Sequence, residues 1–153
     1  EIETYDLSNE IATNIDNTGR QLAEVDLKSV AGETVSTKSL LGMPTIINIW
    51  YSTCEPCRRE MPVLASGARK YAGRVNFVGI NIKDSAKVAT EFAQKYGADF
   101  AIYLDENGRF ISKTGISTAP VTLAINAQGL VVRQTAGELS ASKLDQIVTE
   151  LLK

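Results

Sequence analysis

The 153-residue chain contains two cysteines, and both lie in the segment WYSTCEPCRREMP, residues 50–62. Cys54 and Cys57 are three positions apart, with Glu55 and Pro56 between them. Cysteines that are so close in sequence cannot link distant parts of a fold. The pair therefore either binds a metal ion or exchanges thiols and disulfides with a second molecule.

The absence of histidine from the sequence excludes several kinds of site. Ser-His-Asp and Cys-His nucleophilic catalysis both need an imidazole. Covalent haem attachment needs histidine after C-x-x-C, where this chain has Arg58. A structural zinc site has about four Cys or His ligands, so zinc would have to be shared between two chains or bound with carboxylates. We therefore predict a cysteine pair that works without a metal ion or another cofactor.

Composition and charge narrow the class of protein further. With 44% hydrophobic and 22% charged residues, a chain of this length suits one globular domain. The formal net charge is −2 and no run of Lys or Arg occurs, so nucleic acid is not an expected partner. No stretch approaches the roughly 20 apolar residues of a membrane span. We predict a polar extension or linker over residues 1–20 and one domain over residues 21–153.

Strand and helix patterns alternate along the predicted domain. TIINIWY and VNFVGIN are typical of buried strands, SAKVATEFAQKYG of an amphipathic helix, and SASKLDQIVTELLK of a closing helix with Ser140 as its N-cap. QLAEVDL and the segment AGETVS predict two short strands near the N-terminus, and VTLAIN and LVVRQTAG predict a later hairpin. This order predicts an α/β fold with a central mixed sheet covered by helices on both faces.

The cysteine pair lies between a buried strand and a predicted helix. The first turn of a helix carries unpaired N–H groups and a partial positive charge, which stabilise a thiolate. Pro56 suits this turn because its missing N–H removes no helical hydrogen bond. We expect Cys54 at the exposed edge as the nucleophile that forms a mixed disulfide, and Cys57 one turn further in as the resolving residue. A redox-inert local disulfide is the alternative.

Further candidate residues flank the pair. Glu60 follows Cys57 by one helical turn, so its carboxylate either exchanges a proton with a buried thiol or is an ordinary solvated side chain. Arg58 and Arg59 either stabilise a thiolate or are solvated charges, and Trp50 either packs beside the active-site edge or fills the core. The residue pattern by itself leaves these alternatives open.

A second candidate segment is STAPVT, in which Pro120 directly precedes a predicted strand. Within a sheet, proline normally occupies an edge or the first residue of a strand. The other possibility is a cis Ala119–Pro120 bond, which is found at only about 5–6% of X–Pro sites in folded proteins. The residue pattern alone does not favour the cis form.

Together these segments resemble the thioredoxin superfamily, and within it the extracytoplasmic TlpA/ResA/CcmG (DsbE)-like branch. The similarity runs from about Gln21 to the C-terminus and rests on PTIINIWYSTCEPCRREMPVL, VGINIKDS and TAPVTLAINAQGLVVRQTAG. C-E-P-C with a glutamate three residues later is the ResA-like form of the motif. The resemblance implies a three-layer thioredoxin-like fold with an N-terminal β-hairpin. It also implies a helix and strand inserted before a cis-proline, at KDSAKVATEFAQKYGADFAIYL.

The resemblance assigns roles to individual residues. It implies that Cys54 is the exposed nucleophile and that Cys57 is its buried disulfide partner. Pro120 matches the cis-proline that lies against the disulfide. Thr118 and Ala119, which precede it, would offer backbone groups to an extended substrate segment.

Glu60 matches the glutamate of the C-x-x-C-x-x-E pattern, which favours the proton-exchanging role. Two positions differ from patterns that are common among thioredoxin-like proteins. Thioredoxin has a buried aspartate where this chain has Asn48, which cannot exchange protons, so the role falls to Glu60. Many relatives have tryptophan before the first cysteine, where the smaller Thr53 leaves the partner preference open. The expected supporting residues of the site are Glu55, Pro56 and Trp50.

The function that the resemblance implies is thiol–disulfide exchange outside the bacterial cytoplasm. The expected role is reductive: it keeps apocytochrome c thiols reduced for haem attachment, with electrons from a membrane thiol–disulfide relay partner. Because the chain starts at Glu1 rather than methionine, we expect a processed or trimmed sequence and an N-terminal segment, missing from it, that anchors the protein to the membrane. We also expect a monomer. Oxidation of secreted proteins and a non-catalytic binding module are the alternatives. Peroxidase activity is disfavoured because Cys57 lies too close to Cys54.

Overall fold

The computed structural model describes residues 14–153, and this part of the chain forms seven strands and four α-helices. The strands are β1 (Asp26–Ser29), β2 (Thr34–Ser36), β3 (Thr45–Trp50), β4 (Asn76–Asn81), β5 (Ala101–Leu104), β6 (Val121–Ile125) and β7 (Val131–Ala136). The helices are α1 (Glu55–Lys70), α2 (Ala86–Lys95), α3 (Arg109–Thr114) and α4 (Ala141–Leu151), and a 3-10 helix covers Thr37–Leu40. No helix within residues 14–153 has the length and apolar character needed to span a membrane.

All seven strands belong to one mixed sheet with the order β2-β1-β5-β4-β3-β6-β7. Strands β3, β4 and β5 are parallel neighbours, whereas the pairs β1–β2, β1–β5, β3–β6 and β6–β7 are antiparallel. The predicted N-terminal hairpin is β1–β2 and the predicted later hairpin is β6–β7. The α/β class, the mixed sheet and both hairpins are therefore confirmed.

The central strand β3 is buried along its whole length, as its continuous apolar sequence predicts. Side chains alternate between the two faces of a strand, and the core divides accordingly. Ile47 and Ile49 pack in a cluster that includes Phe110 of α3. Ile46 packs in another cluster with Leu64 of α1 and the apolar side of α4. The even-numbered residues of β3 thus face α1, the helix that follows the cysteines.

The inserted helix and strand expected before Pro120 are α2 and β5. Helix α2 begins after Ser85, whose side chain accepts a hydrogen bond from the Val88 N–H, and it is followed by Gly97 with φ of +75°. Strand β5 then pairs with β4 in parallel and with β1 in antiparallel orientation. This insertion widens the sheet on the side away from β6.

The first described residues pack against the domain, which the predicted boundary at residue 21 did not anticipate. Ile15 N–H donates to the Gly115 carbonyl at 2.9 Å. Asn17 is buried, and its side-chain amide donates to the Thr114 carbonyl at 3.0 Å and to Gln134 Oε1 at 3.1 Å. Within the described residues 14–20, Ile15 and Asn17 thus make hydrogen bonds to the domain. Residues 1–13 of the predicted extension lie outside the described residues.

Candidate active site

The strand–turn–helix unit places both cysteines at the N-terminus of α1. Strand β3 ends at Trp50, and Cys54 is the N-cap of α1, with Pro56 in its first turn. Cys54 and Cys57 form a disulfide with their Cα atoms 5.2 Å apart. The Cys57 N–H donates to Cys54 Sγ at 3.2 Å, so an unpaired helical donor points at this sulfur.

The burial of the two cysteines follows the expected order but is more complete than expected. Cys57 is 1% exposed and Cys54 is 6% exposed, so only a small part of Cys54 is open to solvent. Their disulfide belongs to a buried cluster with Met61 of α1 and Ala89 of α2. A partner molecule can therefore approach from one restricted direction, at Cys54.

The segment before β6 closes one side of this opening. The Ala119–Pro120 peptide bond is cis, as the resemblance implied. The Ala119 carbonyl oxygen lies 3.6 Å from Cys54 Sγ. This approach follows from the sheet, because antiparallel pairing of Ile49 with Val121 brings the start of β6 beside the end of β3. The structure thus joins two segments that are 65 residues apart.

Thr118 and Ala119 differ in the backbone groups that they can offer to a substrate. Asn14 Oδ1 accepts hydrogen bonds from the N–H groups of Ser117 at 2.8 Å and Thr118 at 3.2 Å. Asn14 Nδ2 also donates to Thr118 Oγ1 at 2.5 Å. The Ala119 N–H, by contrast, has no acceptor among residues 14–153. Of these two residues, only Ala119 therefore has a backbone N–H that is available to a substrate segment.

Glu60 is fully buried, which excludes the solvated side chain that was one of the two interpretations of its sequence position. Its Oε1 accepts from Asn48 Nδ2 at 2.9 Å, and its Oε2 accepts from the Leu139 N–H at 2.7 Å. Burial raises the pKa of Glu60 to about 7, while these two hydrogen bonds oppose the rise and the nearby charge of Glu138 adds to it. A carboxyl group with such a pKa can bind or release a proton near neutral pH, one helical turn from Cys57.

Asn48 joins β3, α1 and β6 beneath the disulfide. It is 2% exposed, and its Nδ2 donates to Thr122 Oγ1 at 3.3 Å as well as to Glu60. Its Oδ1 is buried and has no hydrogen-bond partner in the described part of the chain. Buried polar atoms are nearly always hydrogen-bonded, so this oxygen calls for a physical explanation.

Trp50 fills the core under the disulfide, which decides between the two alternatives for this residue. It is 0% exposed and stacks against Phe92 of α2 with ring centroids 5.0 Å apart. Its indole lies so close to Gly79 of β4 that a Cβ there would be 2.9 Å from Trp50 Nε1. A glycine at this position therefore makes room for the indole on the central sheet.

Charged side chains form the rim of the site and are partly exposed. Glu55 pairs with Arg58, and Arg59 pairs with Glu138 at 2.9 Å. The side chains are 39–60% exposed, so solvent screens these pairs strongly. This geometry favours the interpretation of Arg58 and Arg59 as solvated charges that are paired with carboxylates.

The sequence identified the site residues in the segment that holds the cysteines and in the segment that holds Pro120. It did not identify two residues that contact them. Leu139 was not predicted, although its place just before the Ser140 N-cap marks a backbone N–H at a helix start. Asn14 was also missed, and no local pattern distinguishes it from the other polar residues near it. Both act through contacts with residues that are far away in sequence.

Comparisons with known proteins agree with this geometry. Residues 18–134 match the model of the AhpC/TSA family. Thiol-disulfide oxidoreductase ResA of Halalkalibacterium halodurans is 29% identical over 137 residues, which cover 88% of this chain and 77% of the relative. Thiol:disulfide interchange protein DsbE of Allochromatium vinosum is 29% identical over 128 residues, which cover 83% of this chain and 69% of the relative.

A solved structure shows the same architecture. The crystal structure of a thiol:disulfide interchange protein of the thioredoxin family from Chlorobium tepidum superposes with a TM-score of 0.77. The two sequences are 25% identical, and the alignment covers 91% of this chain and 100% of that one. The seven-stranded mixed sheet with helices on both faces is therefore a thioredoxin-like fold.

Proposed function

This chain belongs to the AhpC/TSA family and is a thiol–disulfide oxidoreductase of the ResA/DsbE type, and from that premise we propose how its residues divide the reaction. Cys54 is the nucleophile, Cys57 is the resolving cysteine and Glu60 carries the proton of Cys57. Ala119 and Pro120 position the substrate segment beside Cys54. The observation that carries this assignment is the Cys54–Cys57 disulfide at the α1 N-terminus, with Cys54 Sγ against the Ala119 carbonyl.

The reduced enzyme starts the reaction with the Cys54 thiolate, which the α1 N-terminus and the Cys57 N–H stabilise. This thiolate attacks one sulfur of a protein disulfide. A mixed disulfide forms, and the other substrate sulfur leaves as a thiolate. The Ala119 N–H and carbonyl hold the substrate backbone in an extended conformation beside the new bond, in the manner of an added strand.

The second step releases the substrate. The Glu60 carboxylate takes the proton of Cys57, and the resulting thiolate attacks Cys54 Sγ. The mixed disulfide breaks and the substrate leaves with both sulfurs reduced. The enzyme has given up two electrons and is left with the Cys54–Cys57 disulfide. The burial of Glu60 supports this role, because its pKa of about 7 allows the proton to be taken up and returned near neutral pH.

We propose that the net reaction in the cell is reductive and that it serves cytochrome c maturation. The C-E-P-C-x-x-E segment, which resembles the ResA-like branch, supports this role. A charged Glu60 one turn from Cys57 disfavours a second thiolate at that site. Because a stabilised reduced form is what makes a cysteine pair a strong oxidant, the buried carboxyl supports the reductive direction.

The proposed setting follows from the same resemblance. The enzyme works on the outer face of the bacterial cytoplasmic membrane or in the periplasm, held there by an N-terminal anchor. Its substrate is a protein such as apocytochrome c, and a membrane thiol–disulfide relay partner returns it to the reduced state. It acts as a monomer, and its only redox centre is the cysteine pair, without metal or other cofactor and without nucleic acid.

A trapping experiment tests the division of roles. The reduced Cys57→Ala variant, incubated with an oxidised peptide that carries a C-x-x-C-H segment, is expected to accumulate a mixed disulfide through Cys54. The matched Cys54→Ala variant is expected to form none. Non-reducing electrophoresis and mass spectrometry measure the adduct. Trapping through Cys57 instead would contradict the assignment, and partner binding that survives Cys54→Ala would support a non-catalytic binding module.

The equilibrium reduction potential of the Cys54–Cys57 disulfide tests the direction. A potential near the roughly −270 mV of thioredoxin is expected for a reductant. A potential near the roughly −120 mV of DsbA would mark an oxidant of secreted proteins and would overturn the reductive role. Equilibration with glutathione or thioredoxin of known potential provides the measurement.

A further inference from the structure

The two carboxyl oxygens of Glu60 differ in what their partners allow. Oε2 faces the Leu139 N–H at 2.7 Å, and a backbone N–H can only donate. A protonated Oε2 would place two donors against each other. Oε1 faces a side-chain amide, Asn48 Nδ2, at 2.9 Å. When Glu60 binds a proton, the proton must therefore reside on Oε1, the oxygen that faces Asn48.

In the orientation that the structure shows, the amide of Asn48 suits only the charged form of Glu60. Its Nδ2 donates to Oε1, whereas its Oδ1 points away and has no partner in the described part of the chain. An O–H on Oε1 would meet this N–H, and a hydrogen bond would be lost. Rotation of the amide by half a turn exchanges its two ends, so that Oδ1 can accept from the O–H.

Thr122 can serve both orientations because a hydroxyl both donates and accepts. Its Oγ1 lies 3.3 Å from Asn48 Nδ2, which donates to it now. After rotation, the hydroxyl can donate to the amide oxygen. The end of the Asn48 amide that points away from Glu60 has no hydrogen-bond partner now and would have none after rotation. This end therefore changes the energy difference between the two orientations little. The protonation state of Glu60 then decides the orientation of the amide.

We propose that Asn48 is a positioning residue whose side-chain amide reverses each time Glu60 gains or loses its proton, so that both forms of the carboxyl stay hydrogen-bonded. This inference rests on the proposed role of Glu60 as proton carrier. Aspartate at position 48 would add a second buried carboxyl, and leucine would leave Oε1 without a partner. An amide is the side chain of this size that is neutral and can present either a donor or an acceptor.

The groups around Glu60 are few and can be enumerated. Within α1, the disulfide-bonded Cys57 does not titrate and Arg59 is paired with Glu138. Strand β3 presents Asn48, and β6 presents Thr122 behind it. The segment between β7 and α4 presents the Leu139 N–H and the partly exposed Glu138. Among these, the Asn48 amide is the group that can change from donor to acceptor toward Oε1.

Nuclear magnetic resonance of the oxidised full chain tests the reversal directly. Carboxyl carbons of glutamate and side-chain amide groups of asparagine are followed from pH 5 to pH 9. Above the midpoint of Glu60 titration, nuclear Overhauser contacts are expected between the Asn48 NH2 protons and the Thr122 side chain. Below that midpoint these contacts are expected to disappear, with the same pH midpoint as the Glu60 carbon.

The possible outcomes separate the two proposals. If Glu60 titrates near neutral pH while the contacts from Asn48 to Thr122 persist at every pH, the amide is fixed and the inference is overturned, whereas the proton-carrier role stands. If Glu60 does not titrate between pH 5 and pH 9, both proposals fail.

A kinetic comparison adds a functional readout. Asn48→Leu is expected to slow turnover of the oxidised peptide at least tenfold at pH 7 and to shift its pH profile. Asn107→Leu is the matched control, because it makes the same substitution at an exposed position in the loop between β5 and α3, and a change of less than threefold is expected. Equal pH profiles for Asn48→Leu and the unchanged protein would contradict a positioning role.

Discussion

Glu60 shows how burial changes the acid–base behaviour of an ordinary glutamate. On an exposed helix surface, solvent would keep such a glutamate charged at neutral pH. Here the side chain is 0% exposed, and desolvation outweighs the two hydrogen bonds that favour its charged form, so its pKa rises to about 7. Its chemistry therefore depends on the packing of α1 against β3 and the segment before α4.

The raised pKa of Glu60 predicts a pH-dependent stability. Because the pKa in the folded state lies above the unfolded value of 4.5, the folded state binds the proton more tightly. This contribution is fully present below about pH 4.5 and is lost as pH rises through about 7. The free energy of unfolding should therefore fall by about 3 kcal/mol relative to Glu60→Gln between these limits.

Urea unfolding at several pH values measures this difference. Glu106→Gln is the matched control, since Glu106 is exposed in the loop between β5 and α3. Its stability curve should run parallel to that of the unchanged protein. A Glu60→Gln curve that is also parallel between pH 5 and pH 8 would show that Glu60 does not hold its proton in the folded state.

At the scale of elements, α4 matters to the site through its N-terminus. The segment before this helix contributes the Leu139 N–H to Glu60, and the next residue, Ser140, is the N-cap. The Ser140 side chain accepts from the Lys143 N–H at 3.1 Å. The same local motif that starts the helix thus also holds the backbone that reaches the buried carboxyl.

Ser140→Ala is expected to lower the free energy of unfolding by about 1 kcal/mol, because the Lys143 N–H loses its side-chain acceptor. Ser142→Ala, two residues later and exposed inside α4, is the matched control and should be neutral or slightly stabilising. Thermal or urea unfolding compares the two variants. Equal effects would mean that the capping bond contributes nothing.

At the scale of the whole molecule, the site is assembled by the order of the strands. The cysteines follow the end of β3, and the proline segment precedes the start of β6. These two strands are neighbours in the sheet, although the helices α1, α2 and α3 lie between them in the chain. The first described residues complete the arrangement from the outside. Asn14 bonds to Thr118 across a sequence distance of 104 residues.

Asn14→Ala should release the segment before Pro120. The amides of Ser117 and Thr118 both donate to Asn14 Oδ1, so their hydrogen exchange should speed up about fivefold for a lost contact of about 1 kcal/mol. Asp16→Ala is the matched control, because the Asp16 side chain bonds to Thr18 and is exposed. Unchanged exchange at both amides would show that Asn14 does not restrain them.

The sequence by itself determined the strand, C-x-x-C and helix unit, both hairpins, the amphipathic helix α2 and the closing helix α4 with its Ser140 cap. These features depend on the apolar pattern and on contacts between residues a few positions apart, which can be inferred from residues that are close in the sequence. The family resemblance added the cis form of the Ala119–Pro120 bond, for which residue pattern alone offered no preference.

Only the tertiary structure decided the surroundings of Glu60, Asn48 and Thr118. Their hydrogen bonds join residues that are 12, 79, 74 and 104 positions apart. Whether such groups meet depends on the register of β3 with β6 and on how the segments at residues 14–20 and 137–140 pack. Burial then sets the pKa of Glu60, because desolvation is a property of the packed molecule rather than of the neighbouring residues.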